Sequence, residues 1–192
     1  MSIKRMALVA GLVSLLFLAA CGPKYEGDFS YKVEPFSYKN QDGETVSKEE
    51  LDGKFWVADM IFTNCETVCP PMTANMARLQ EKLKQENLDV RLISFSIDPE
   101  HDSPEDLKQY SKERGGEFDN WDLLTGYEFS EIKEFSINSF KALVEELDDS
   151  DQYLHATSFY LVSPEGNAIK AYDGTKAAQM DKIVEDIKKM SN

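Results

Sequence analysis

The stretch FWVADMIFTNCETVCPPMTANMARLQEKL, residues 55–83, orders the rest of the chain. Phe55 to Phe62 is an apolar run of strand length, and it leads directly into Cys65-Glu66-Thr67-Val68-Cys69-Pro70-Pro71. Beyond the prolines, Met72, Met76, Leu79 and Leu83 recur at helical spacing and predict an amphipathic helix with one core-facing stripe. Strand, cysteine loop and helix in that order place two thiols at the end of a buried strand and the entrance of a helix. A residue before proline is pushed out of the α region, so Cys69 is expected to be extended, with the helix starting near Pro71. The helix N-terminus carries unpaired N–H groups and about half a positive charge, which favours thiolate over thiol. On a regular helix, Cβ atoms four residues apart lie about 5–6 Å from each other, whereas a disulfide wants roughly 3.5–4.5 Å. Three intervening loop residues allow a disulfide, and they equally allow both sulfurs to meet on one metal ion.

Upstream, Lys4 and Arg5 precede Met6 to Ala20, an uncharged apolar run of 15 residues. That is short for a membrane span of about 20 residues and fits the apolar core of a secretory signal. The run ends in Leu18-Ala19-Ala20-Cys21, which resembles the bacterial lipobox. Residues 1–20 are therefore expected to be a lipoprotein signal peptide, Cys21 the lipidated N-terminus, and residues 21–28 a short polar tether. Acyl chains contribute about 0.8 kcal/mol per buried CH₂, so two or more anchor stably. Such a domain sits on the extracytoplasmic face of the cell membrane. With Cys21 lipidated, only Cys65 and Cys69 remain of the three cysteines. A bridge closing so short a loop removes little unfolded-chain entropy, so a purely stapling role is unattractive. The net charge is −14, and −16 once Lys4 and Arg5 are removed. That surface disfavours nucleic acid and anionic lipid headgroups.

Residues 29–192 read as one α/β domain. Phe29 to Val33 and Phe36 to Asn40 are short strand patterns, and Gln41-Asp42-Gly43 is a turn signal. Ser47-Lys48-Glu49-Glu50 fits a capping box for a brief helix ending at Asp52-Gly53. Val90 to Ile97 is a second strong strand. Ser103 and Pro104 open a helix that Gly115-Gly116 stops. Trp121 to Leu124 predicts a short strand, Phe129 to Phe135 a helix, and Asp148 to Gln152 an acidic loop. Ser158 to Val162 and Ala168 to Tyr172 flank a hairpin turn, and Met180, Ile183, Val184 and Ile187 line the last helix. A dithiol loop at the first strand–helix junction of such a chain is the pattern of a thioredoxin-like fold with a central mixed sheet.

Three motifs in order carry a family resemblance: Cys65-Glu66-Thr67-Val68-Cys69-Pro70, then Ser96-Ile97-Asp98-Pro99-Glu100-His101-Asp102-Ser103-Pro104-Glu105, then His155 with Ser163-Pro164-Glu165-Gly166. Together they resemble the Sco/SenC family, most of all its lipoprotein members from Gram-positive bacteria. The resemblance implies a thioredoxin fold and one copper ion per chain, Cu(I) or Cu(II), held by Cys65, Cys69 and His155. It further implies a role in building the dinuclear copper (CuA) centre of cytochrome c oxidase subunit II. The sequence departs from the family pattern at Glu66 (often proline), at His101 (usually arginine) and at Leu154 (often acidic), none of which removes a ligand.

The donor set agrees with copper on its own chemistry. Two thiolates suit Cu(I), and imidazole suits either oxidation state. A structural zinc site normally closes with four protein ligands, and no fourth strong donor stands out. Asp98, at the end of a strong strand, is expected either near the dithiol, where it would orient a site group, or in an ordinary Asx turn. Met72 and Met76 lie on the helical stripe and read as core residues. The alternative function is a thiol–disulfide oxidoreductase that keeps partner cysteines reduced, with its own reductase as partner. A peroxidase is disfavoured, because Thr63 stands only two residues before Cys65 and the Thr-x-x-Cys arrangement is absent.

Overall fold

The computed structural model describes residues 25–148 and 150–191. The expected signal segment and Cys21 lie outside the described residues. Among the described residues ten strands run in the order β1 (Tyr31–Lys32), β2 (Ser37–Lys39), β3 (Thr45–Ser47), β4 (Phe55–Ile61), β5 (Val90–Ser96), β6 (Trp121–Leu124), β7 (Val144–Glu146), β8 (Tyr153–His155), β9 (Ser158–Val162) and β10 (Asn167–Asp173). The helices are α1 (Cys69–Gln85), α2 (Pro104–Lys112), α3 (Phe129–Phe140) and α4 (Ala178–Ser191). Six strands make one mixed sheet in the order β1-β10-β9-β4-β5-β6. β4, β5 and β6 are parallel, and β9 runs antiparallel to β4. This is the expected α/β architecture with its dithiol loop at a strand–helix junction.

All seven residues of β4 are buried, as a central strand covered on both faces requires. Side chains alternate across a sheet, so Trp56, Met60 and Phe95 share one face while Asp59 and its cross-strand partner Ser94 point to the other. On the first face the aromatic rings of α3 pack down. Phe135 lies 5.0 Å from Phe95 and Phe140 lies 6.4 Å from Trp56, centroid to centroid. Elsewhere α1 packs on α4, with Met72, Met76, Leu79 and Leu83 all fully buried. The methionines are core residues, as their spacing predicts.

Three local expectations are corrected. Cys69 is not extended but is the first residue of α1, which starts two residues earlier than Pro71. Val68 is already in the right-handed region, and the Met72 N–H closes the first turn on the Val68 carbonyl at 3.1 Å. Pro70 and Pro71 then occupy positions whose N–H groups have no helical acceptor, so their missing donors cost nothing there. The capping box at Ser47 yields only a single 3₁₀ turn, Lys48–Leu51, with no side-chain cap. The Ser47 hydroxyl reaches Glu50 Oε1 at 3.4 Å instead. Helix α3 runs on to Phe140 and ends on Lys141 in the left-handed region, φ 56°. At Ser103 the expectation holds: its hydroxyl accepts the Asp106 N–H at 3.2 Å with Pro104 as first helical residue.

Candidate metal and dithiol site

Three elements converge at the C-terminal end of β4. The loop after β4 carries Cys65, the first turn of α1 carries Cys69, and β8 carries His155. One ligand atom from each lies within 4.8 Å of the others, and among the described residues they form the one such cluster of three potential ligands. Cys69 is fully buried, and Cys65 and His155 are nearly so, at 7% and 9% exposure. Both cysteines are free thiols.

The two sulfurs are electrostatically unlike. Cys65 Sγ accepts the Cys69 backbone N–H at 3.3 Å. The Cys69 side chain, His155 and the N–H groups of Cys69 and Thr67 together outweigh its partial desolvation and hold the Cys65 thiol far below its ordinary range, to about 3. Burial pushes Cys69 strongly the other way, and the charge on Cys65 adds to it. Cys65 is therefore the sulfur of the pair that favours the thiolate, and Cys69 the one that keeps its proton. His155 Nδ1 lies 3.0 Å from the Ala156 carbonyl, where it donates, and this leaves Nε2 as the ring's lone-pair atom. Nε2 faces Cys69 Sγ at 3.3 Å. An imidazole in that tautomer presents its lone pair to Cys69 Sγ, and the Phe62 ring packs nearly perpendicular to it at 5.8 Å between centroids.

A second layer of polar groups sits beneath. Asp102 is buried and anchors the cysteine loop: it accepts from the Thr63 N–H at 3.1 Å, from the Thr63 hydroxyl at 2.5 Å and from the Ser96 hydroxyl at 2.6 Å. Asp59, fully buried in β4, holds the Ser94 hydroxyl with Oδ1 at 2.5 Å, while its Oδ2 has no partner. Burial raises its carboxyl to about 7, moderated by the Ser94 hydroxyl and by the nearby His155. A carboxyl raised above its unfolded value gives stability that is full below pH 4 and is lost as pH rises through about 7. Asp59→Asn removes that loss. Denaturant unfolding at pH 5 and pH 8 is therefore expected to show the variant gaining on the parent, by on the order of a few kcal/mol, at the higher pH. An unchanged difference at the two pH values would contradict this.

Asp98 does not join the ligand cluster. It is buried at the end of β5, where its carboxylate meets the Tyr153 hydroxyl and His101, and its own N–H donates to the Ser96 hydroxyl. His101 is solvent-exposed and bonds back to Asp98, which raises the imidazole above its usual range. Asp59, Asp102 and Tyr153 were not legible as site residues from the sequence. For Asp59 a signal existed, since a lone carboxylate inside an otherwise apolar strand must be paired or functional.

The SCO1/SenC family model matches residues 26–192. The chain is 54% identical over 185 residues to the SCO1 protein homolog of Bacillus subtilis (strain 168), covering 96% of this chain and 95% of that protein. Among solved structures, a SCO1/SenC family lipoprotein from Bacillus anthracis str. Ames superposes with a TM-score of 0.81 at 44% identity, over 84% of this chain and 96% of that one. BsSco, a member of the Sco family of cytochrome c oxidase assembly proteins in which a disulfide switch has been identified, gives 0.79 at 53% identity, over 88% and 98%. Arabidopsis thaliana ScoI with copper bound gives 0.69 at 29% identity, over 81% and 98%. A match over nearly the whole described chain, in sequence and in backbone, places this protein in the SCO1/SenC family.

Proposed function

We propose that Cys65, Cys69 and His155 hold one copper ion, and that the chain serves the assembly of cytochrome c oxidase by supplying that copper to the CuA centre of subunit II. The observation that carries this is the convergence of the two sulfurs and a ring nitrogen of His155 within 4.8 Å of one another, all three residues buried. The donor set fits the ion: thiolates are soft, imidazole is indifferent to oxidation state, and three ligands leave the site open for transfer. Copper-bound relatives from Arabidopsis thaliana and yeast support the assignment. In this reading residues 1–20 direct export, Cys21 carries the lipid, and residues 21–28 tether the domain to the extracytoplasmic face of the membrane. Among the described residues no helix is long and apolar enough to cross a membrane. The lipoprotein relative from Bacillus anthracis supports the anchor.

The unlike cysteines favour a second activity at the same site, thiol–disulfide exchange. Cys65 thiolate would attack a partner disulfide, forming one S–S bond while the partner's bond breaks and its leaving sulfur takes a proton. Cys69, losing its own proton, would then displace the partner as a dithiol, so that two electrons pass from this chain to it. The disulfide switch of BsSco supports this.

His155→Ala separates the two activities. Copper carried through gel filtration is expected to fall by at least about tenfold, since losing a ligand costs no less than losing one of its outer partners. Exchange with a small disulfide is expected to persist. Full copper retention by the variant would remove His155 from the site.

A further inference from the structure

β8 brings His155 to the sulfurs, yet its pairing is slight. The β7–β8 ladder has three residue pairs, from Val144↔His155 to Glu146↔Tyr153, and it is not part of the six-stranded sheet. A lone two-stranded hairpin is marginal on its own. β7 is seated by its fully buried Val144 and by the 2.7 Å ion pair of Glu145 with Lys133 of α3, whereas β8 depends on other contacts. The Tyr153 hydroxyl donates to Asp98 Oδ1 at 3.1 Å, and Asp98 is only 3% exposed. His101 Nδ1 shares that same oxygen at 2.7 Å. The Tyr153 ring packs edge-on against Phe62 at 5.1 Å and tilts against Phe129 at 5.5 Å. At the hairpin tip, the Asn64 amide donates to Asp151 Oδ2 at 2.7 Å and Gln152 Nε2 donates to the Asn64 carbonyl at 2.9 Å. Asn64 and Asp151 are exposed, so water competes for those two bonds. The buried Asp98 carboxylate offers Tyr153 an acceptor shielded from that competition, and a bond to a charged acceptor is the stronger kind. Tyr153 and His155 are two apart in a strand and so share one face. Fixing one side chain therefore aims the other.

We propose that the Tyr153 hydroxyl, gripping the Asp98 carboxylate, is the positioning contact that seats β8 of the hairpin and holds His155 Nε2 at ligand distance from Cys69. This rests on the reading of Cys65, Cys69 and His155 as the copper site. Asp98 then acts on the metal through Tyr153, and His101 is its outer brace.

Tyr153→Phe tests the hydroxyl alone, because the ring contacts with Phe62 and Phe129 are kept. Two readouts on the full chain apply. In the reduced, metal-free protein, amide hydrogen exchange across residues 144–155 is expected to speed up at least tenfold, with β4 and α1 unchanged. In the copper-loaded protein, the visible and paramagnetic spectra are expected to move toward those of His155→Ala. Asp98→Asn, which leaves Tyr153 in place and weakens its acceptor, is expected to shift both readouts the same way and by less. Wild-type exchange at the hairpin would overturn the proposal, and so would faster exchange with an unaltered copper spectrum. If His155→Ala itself gives the wild-type copper spectrum, the copper ligation by His155 fails, and the effect of Tyr153 on the metal falls with it. The exchange arm needs no copper and still reports whether the hydroxyl seats β8, so the two failures are distinguishable.

Discussion

Cys69→Ala is expected to abolish stable copper binding and, in the same protein, to trap a mixed disulfide on Cys65. Losing a ligand outright should cost more than the roughly 10–100-fold typical of losing an outer partner, so retained copper should fall by more than about 100-fold. The trap follows from the asymmetry of the pair. In Cys69→Ala the Cys65 thiol loses its largest stabilising partner, the Cys69 side chain, but His155 and the backbone N–H groups of residues 67 and 69 still favour its thiolate, so it remains the nucleophile. Without Cys69 no sulfur is placed to release the partner. Cys65→Ala should lose copper to a similar extent but trap nothing, because the remaining thiol is fully buried and held protonated. Mass spectrometry of both variants after treatment with a disulfide reagent reads the difference. A mixed disulfide on Cys69 in the Cys65→Ala protein would reverse the assignment of nucleophile.

The second large effect concerns stability. Asp102→Ala is expected to destabilise the domain by about 2–4 kcal/mol, because it strands buried donors. The Thr63 and Ser96 hydroxyls can rotate toward other acceptors, but the Thr63 N–H, two residues before Cys65, cannot. For a domain of this size that corresponds to a fall in Tm of roughly 5–15 °C. Asp102→Asn should cost less, since its amide oxygen still accepts from Thr63 while its NH₂ group can donate to Ser96. Thermal unfolding of the three proteins checks the order. Equal melting of wild type and Asp102→Ala would mean that the loop is held by packing alone.

The elements with strong local patterns were legible in the sequence. Phe55–Ile61 and Val90–Ser96 stand out as apolar runs, Trp121–Leu124 as a short one, and α1 by the spacing of Met72, Met76, Leu79 and Leu83. Cys65, Cys69 and His155 were singled out there as well, the first two by spacing and the third by family resemblance. The β7–β8 hairpin was not found, for a physical reason. Val-Glu-Glu and Tyr-Leu-His are too short to show a two-residue period, and tertiary contacts from Tyr153 to Phe62 and Asp98 do the work that propensity does elsewhere. Cys69 was misplaced because the rule for residues before proline is a preference, and here the first-turn bond from Met72 to Val68 overrides it. Asp98 could be placed at a strand end from sequence, but its partner Tyr153 lies 55 residues away. No local pattern connects them.

Copper titration of the reduced, metal-free protein, the full chain with Cys21→Ser in detergent so that only Cys65 and Cys69 report, tests whether these sulfurs and His155 hold a copper ion. Visible absorption and free thiols are followed together as Cu(II) is added. A lasting thiolate-to-copper band that saturates at about one copper per chain, with His155→Ala failing to hold it, is the predicted result for a single Cys₂His site. Copper that is consumed without a lasting band, while both thiols disappear, would contradict the copper site and leave the dithiol as the working unit.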